Sequence, residues 1–278
     1  METKTLLLLC FLFAAVCNGQ EEFTMLGHPA SVQDKMNGKV QKVVFELFWG
    51  TGTGENIIKG NHITTRERDS LRVFYDFEAT FDNTGDHIIN YNTLDDNDRV
   101  VDNWKYFKEN NQIVSSKWTF PKGKRIGGTI YPKGDGYTKH LNNEKGQEIA
   151  TEDYKADNDS LLLSFALKYN EAGDNIETKT FDGKGNLLGK WSTEYNDKRQ
   201  AVGGVNYGPD GNIRSSYKYT INDRGKVSEA TYFDKDKNVT GNPRYTYLEY
   251  DAKGNWIKVG VESGPYVTYA ERNITYFK

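Results

Sequence analysis

Phe181-Asp182-Gly183-Lys184-Gly185-Asn186-Leu187, followed by Tyr207-Gly208-Pro209-Asp210-Gly211-Asn212-Ile213, sets the reading of the whole chain. Each segment begins on an aromatic ring, passes through Asp and Gly, and ends on an aliphatic residue. Asp or Asn in such a segment bonds its side chain to backbone two residues on, and Gly supplies the positive φ that a tight hairpin needs. The motif returns as Phe81 to Ile88, Tyr169 to Ile176, Ile221 to Val227, Phe233 to Val239 and Tyr250 to Trp256. Looser copies begin at Leu94, Tyr106, Leu141, Tyr154 and Tyr195. From Tyr169 the starts at Phe181, Tyr195, Tyr207, Ile221 and Phe233 follow at intervals of 12, 14, 12, 14 and 12 residues. A short strand and one turn fill each interval, and two intervals together make a 26-residue hairpin. Short and long turns are then expected on opposite edges of the sheet.

Between turns the residues alternate. Leu187, Gly189, Trp191, Thr193 and Tyr195 share one face, opposite Leu188, Lys190, Ser192 and Glu194. Ile213, Ser215, Tyr217, Tyr219 and Ile221 do the same opposite Arg214, Ser216, Lys218 and Thr220. A period of two with one solvated face is the signature of antiparallel strands. The expected fold is all-β, an antiparallel meander of repeated hairpins, curled or stacked to bury its aromatic face. Burying one aromatic contributes roughly 1.5–3 kcal/mol, so a row of them holds such a sheet together. Working outward, Gly38 to Trp49 reads as a lead strand, Gly50 to Asn61 as a loop and Leu71 to Phe81 as a strand. Gly123 to Gly136 is the expected break in register, and no long helix is expected across 75–260.

Ahead of this lies a different kind of segment. Lys4 precedes the apolar run Leu6 to Val16, which is too short for a comfortable membrane span and has the length of a signal-peptide core. Small residues near Gly19 mark a cut before Gln20. Residues 1–19 are read as a signal peptide, 20–37 as a lead-in and 38–278 as a single β-repeat domain. The alternatives are an uncleaved N-terminal anchor and lipidation at Cys17, though Val16 fits a lipobox poorly. Cys10 and Cys17 are the only cysteines of the 278 residues, so a cut chain has no disulfide, thiolate nucleophile or cysteine-zinc site. The expected location is the periplasm, the outer surface or the medium. A formal net charge of -3 gives no basic field for nucleic acid, and a mean hydropathy of -0.76 excludes a polytopic helical membrane protein.

The aromatic-Asp-x-x-Gly-Asn turns, clearest at Tyr250-Asp251-Ala252-Lys253-Gly254-Asn255-Trp256, resemble the YD repeats of Rhs-type proteins, closest to the small secreted Rhs-like proteins of Bacteroidetes. The lead strand Gly38 to Val43 is similar to that group as well, and the resemblance covers 38–260. It implies a wound antiparallel β structure with carbohydrate binding or a shell-like role. The chain is too short to enclose a cargo, and nothing after Glu262 looks like a toxin domain.

Little else carries chemistry. His28, His62, His87 and His140 lack metal-ligand spacing and read as surface or turn residues. Asp95-Asp96-Asn97-Asp98 and Asp234-Lys235-Asp236-Lys237-Asn238 occupy turn slots and lack the Gly and Glu of a calcium loop. Gly50-Thr51-Gly52-Thr53-Gly54 has no Gly-Lys-Ser/Thr ending, and there is no Gly-x-Ser-x-Gly elbow. No catalytic residue, metal or cofactor is expected. Trp49, Trp104, Trp118, Trp191 and Trp256 are the candidate ligand-binding platform, competing with a plain aromatic core. The reading is an exported, non-catalytic binding or structural protein, with a glycan or cell-envelope component as partner and no transmembrane span in the mature chain. A glycan-acting hydrolase using turn carboxylates is the alternative.

Overall fold

The computed structural model describes residues 36–71, 76–85, 87–126 and 129–278; the expected leader and most of the lead-in fall outside them. Most of the expected turns share one design, the exceptions being the two-residue turn at Asn110 and Asn111, both at positive φ, and the longer one from Lys155 to Ser160. At Asp182 the amide donates to the Asn186 carbonyl (2.9 Å) and the Gly185 amide donates back to the Asp182 carbonyl (2.9 Å). The Asp182 carboxylate accepts the amides of Lys184 (2.9 Å) and Asn186 (2.8 Å). Gly185 has φ +83°, and the ladder slips by one residue between Thr180 and Phe181. This is a type I turn closed by a left-handed residue and a bulge. Asn196, Asn222, Asp234 and Asp251 repeat it. Where Gly is missing, Asp98, Arg199 and Lys237 take the left-handed position, with φ of 58°, 60° and 64°.

The first strands are β1 (Val40–Thr51), β2 (Ile58–His62), β3 (Asp76–Phe81), β4 (Ile88–Leu94), β5 (Val100–Glu109) and β6 (Gln112–Phe120). A small hairpin follows, β7 (Lys124–Ile126) with β8 (Thr129–Tyr131). Next come β9 (Gly134–Asn142), β10 (Glu148–Lys155), β11 (Leu161–Tyr169), β12 (Asn175–Asp182), β13 (Leu187–Tyr195) and β14 (Ala201–Tyr207). The chain ends with β15 (Ile213–Ile221), β16 (Val227–Asp234), β17 (Val239–Gly241), β18 (Arg244–Tyr250), β19 (Trp256–Ser263) and β20 (Tyr266–Tyr276).

Neighbours in sequence pair antiparallel, and β1 pairs antiparallel with β20 on one side and with β3 on the other. Leaving out the short β2 and β17 and the separate β7–β8 hairpin, the sheet is a closed barrel of 16 strands. The curled meander therefore closes on itself. Its weakest seam joins β16 to β18 through Glu229 and Arg244, with β17 filling the gap beside β16. Between Tyr169 and Val239 the turns at the two rims have the same hydrogen bonding, so the 12 and 14 spacing lies in the strands rather than in the turns. From Tyr169 to Phe233 each hairpin thus climbs twelve residues and descends fourteen. That offset of two is the stagger that tilts strands and lets a sheet close.

Two expectations need correction. Residues 123–136 do not break the register: β6 and β9 stay paired from Ser115↔Lys139 to Phe120↔Gly134, and the excess chain forms the β7–β8 hairpin. Gly136 is required there, because a Cβ would stand 1.8 Å from the Trp118 ring. The expected strand from Leu71 begins only at Asp76, and Thr65–Leu71 is a short helix, α1. Thr64-Thr65-Arg66-Glu67 is its capping box: Glu67 accepts the Thr64 amide (2.8 Å), and the Glu67 amide reaches the Thr64 hydroxyl (3.3 Å).

Residues alternate in and out along each strand. On β1, Val43, Phe45 and Leu47 point inward and are buried, while Lys42 and Glu46 face out. The β7–β8 hairpin and the β1–β3 insertion that carries α1 lie on one rim, the upper. The lower rim is stitched turn to turn. Tyr169, Tyr195 and Tyr247 each donate to a carbonyl of the preceding hairpin, on Glu148 (2.7 Å), Asn175 (3.0 Å) and Val227 (3.1 Å). Asn255 donates to the Asn37 carbonyl (2.9 Å) and so ties the first described residues to that rim.

Candidate binding site in the barrel lumen

The inward residues divide the wall into two arcs. One runs from β18 through β20 and β1 to β4. There Phe45, Leu47, Ala79, Val259, Ala270 and Trp256 are all buried at 2% exposure or less. Phe45 stacks on Phe77 (4.9 Å), which stacks on Tyr91 (5.2 Å), and the Arg272 guanidinium lies 3.5 Å above the Trp256 ring. This arc is a packed core.

The other arc, β11 to β15, is different. Its inward residues form rows across the strands. One row is Leu167, Thr178, Trp191, Asn206 and Ser215; beside it run Phe165, Thr180 and Gly189. A third is Thr193, Gly204, Tyr217 and Tyr232. Phe165, Leu167, Trp191, Thr193, Ser215 and Tyr217 are only half-buried although they face inward. The reason is geometric: about eight strands make a barrel that side chains fill, whereas about sixteen enclose more space than they fill. Within β11 to β15 no charged side chain stands in these rows; the first meets Asp234, held in its own turn, on β16. The Thr180 hydroxyl, on a residue 6% exposed, has no hydrogen-bond partner among the described residues. Gly204 leaves room for the Tyr217 hydroxyl, which would lie 2.5 Å from a Cβ there.

The structure scatters the five tryptophans around the barrel. Trp256 (0% exposed) and Trp118 (2%) are core, Trp118 stacking on Phe120 at 4.6 Å. Trp104 packs edge-on against Tyr91 (5.5 Å) and Phe120 (5.0 Å). Trp49, at the upper end of β1, donates its indole N–H to Glu67 of α1 (3.2 Å). Trp191 alone stands in the half-open arc.

Between the arcs, β6, β9 and β10 place polar side chains in the wall that the sequence reading missed. His140 is not a surface residue: its Nδ1 lies 2.5 Å from Glu148 and its Nε2 lies 3.3 Å from the Ser116 hydroxyl, with all three buried. This order has the look of a nucleophilic triad, but Ser116 is 2% exposed and sits mid-strand, where its neighbours' amides are in the ladder. Asp153 accepts the hydroxyls of Tyr131 (2.5 Å) and Thr138 (2.6 Å). Burial pushes its carboxyl above the ordinary value, against the two hydroxyl bonds that lower it. Burial also drives the Tyr131 phenol well up. The phase of alternation was the signal available: Thr138 and His140 share the inward side of β9 with Gly136.

At the upper rim Arg68 of α1 (1% exposed) bonds Asp76 (2.7 Å) and the Ile63 carbonyl (2.6 Å), while His62 also meets Asp76 (2.6 Å). This group pins the helix to the barrel. The turn carboxylates are used up in their turns. The Asn186 and Asn238 side chains hold Asp182 and Asp234 below the ordinary range, and Arg99 brings Asp95 to about 2. A general acid needs the opposite shift. Among the described residues no three His, Cys, Asp or Glu side chains converge as a metal site.

No family model matches the chain, and no curated protein does. Among solved structures, a porin-like protein from Bacteroides uniformis is similar over 86% of this chain and 99% of its own, with 8% identity and a TM-score of 0.45. A second porin-like protein, from Bacteroides vulgatus, covers 86% and 98% at 13% identity and a TM-score of 0.37. A DUF1329 family protein from Desulfovibrio piger covers 85% and 86% at 11% identity and a TM-score of 0.25. The expected Rhs-type membership is corrected by the fold itself: the chain closes into one 16-stranded barrel through β1, β20 and β3 instead of winding into a shell. The physical reason is local. Asx-x-x-Gly is the sequence of a type I turn with a bulge, and any up-and-down antiparallel sheet uses it, whatever its architecture.

Proposed function

We propose that this chain is an exported, non-catalytic binding barrel that holds a small neutral ligand of carbohydrate type in the half-open arc of its lumen. The observation that carries the reading is the row Leu167, Thr178, Trp191, Asn206, Ser215: a half-buried indole between hydroxyl and amide groups, with no charge. An aromatic face with a few neutral hydrogen-bonding groups suits a sugar ring, apolar on one side and hydroxylated at its edge. The leader 1–19 supports export. The outer wall supports a barrel that stays in water, because Lys42, Glu46, Glu78, Lys179 and Lys190 face outward in mid-strand. A lipid-facing wall needs the reverse alternation, and each lysine near the bilayer midplane costs about 2–4 kcal/mol.

A neutral-oligosaccharide array, followed by calorimetric titration of the best ligand, tests this. Trp191→Ala is expected to weaken binding at least ~10-fold, as loss of a central aromatic anchor does. A blank array, or binding indifferent to Trp191, would leave a purely structural barrel. Release of shorter sugars during incubation would instead establish the hydrolase.

A further inference from the structure

We infer that the outer wall formed by β5, β6, β9 and β10 docks on an anionic lipid surface. Lys105 and Lys117 stand directly opposite each other on β5 and β6 and both face out. Like charges in that relation weaken a sheet. Two other such pairs occur among the described registers, and both are neutralised. Glu177 bridges Lys179 and Lys190 at 3.6 and 3.4 Å. Glu271, opposite Glu46, is paired with Lys59 and faces Lys258 across β19. Lys105 and Lys117 have no such bridge: among the described residues neither makes an ion pair. Lys139, one strand on, faces the acid Glu152 across β10, so the bare cations of this wall are Lys105 and Lys117.

The same wall is unusually apolar for an exposed surface. Phe107, Leu141 and Ile149 are 42%, 43% and 41% exposed on β5, β9 and the start of β10. The Lys117 ammonium lies 5.8 Å from the Phe107 ring. Unneutralised lysines around exposed apolar side chains match a leaflet of negative headgroups over acyl chains, to which each lysine adds about a fivefold gain in partition. The wall is convex, with no groove to wrap a polysaccharide. Fold stability does not explain a repulsive pair left bare where the other two are bridged; attraction to a counter-charged surface does.

The proposal is independent of the lumen reading and is tested apart from it. The full chain without its leader is sedimented with vesicles of phosphatidylcholine containing phosphatidylglycerol, with pure phosphatidylcholine vesicles, and with heparin as a soluble polyanion. Binding to the phosphatidylglycerol vesicles alone is expected, falling as salt rises. Lys117→Glu should lower it at least ~10-fold. The same change puts an opposite charge across from Lys105, so its melting temperature should hold or rise, which separates lost docking from lost folding. Phe107→Ser should also weaken sedimentation, and Trp191→Ala should leave it unchanged. Equal binding to both kinds of vesicle, no binding at all, capture by heparin without vesicles, or full binding by Lys117→Glu would each overturn the proposal.

Discussion

The two arcs of the barrel share turn chemistry and alternation, yet one is filled and the other is not. Along β18 to β4 the inward positions are mostly Phe, Val, Leu, Ala, Tyr and Trp with their faces covered, joined by Arg272 over Trp256. Along β11 to β15 they are chiefly Thr, Asn, Ser and Gly, with Phe165 beside the cluster of Trp118 and Leu163 and Tyr217 against Tyr219 at 4.7 Å. Closing sixteen strands encloses more volume than one layer of side chains occupies, so a second, softer arc costs the fold little. Stability is carried by one side of the wall, which leaves the other free to be composed for recognition.

The sharpest break of that contrast is expected at Phe45. Truncation to Ala removes a fully buried ring stacked on Phe77, and denaturant unfolding should show a loss of about 3–5 kcal/mol. A loss no larger than that from Trp191→Ala would mean that the arcs do not differ in packing.

Asp153 probes the boundary between them through pH. Its folded pKa is raised above the unfolded value, so the folded chain holds a proton that the unfolded chain has released. Stability from this group is full below the unfolded aspartate value near ~4 and falls as pH rises towards the raised folded value. Asp153→Asn should flatten that decline, measured as the melting temperature from pH 4 to 8; an unchanged profile would place the carboxyl in water. The smallest effect belongs to the turns, which serve both arcs alike. Lys237→Gly relieves a left-handed lysine at φ 64° and should stabilise by about 1 kcal/mol, whereas destabilisation would show that the lysine side chain matters more than its backbone.

Much of the scaffold could be read from residues. The Asx-Gly turns and the ring-bearing face were legible because both are local: the Asp182 carboxylate bonds within four residues, and alternation needs only a period of two. Closure was not legible, since pairing of Val43 with Ile274 depends on a stagger summed over the whole chain. Helix α1 was hidden in a short polar stretch, although its Thr64-to-Glu67 box was there to be found. The buried His140 and Asp153 were masked by residue type. Both are polar, and only their phase beside Trp118 and Leu163 shows that they face inward. Of the tryptophans, sequence offered five equivalent rings, and burial separates Trp191 from Trp118 and Trp256.

The two-residue lag between ascent and descent is written separately into each hairpin from Tyr169 to Phe233. Girth is then a matter of counting cassettes: duplicating or deleting one 26-residue unit, such as Asn170 to Tyr195, would give a wider or slimmer ring whose first and last strands still meet head to tail.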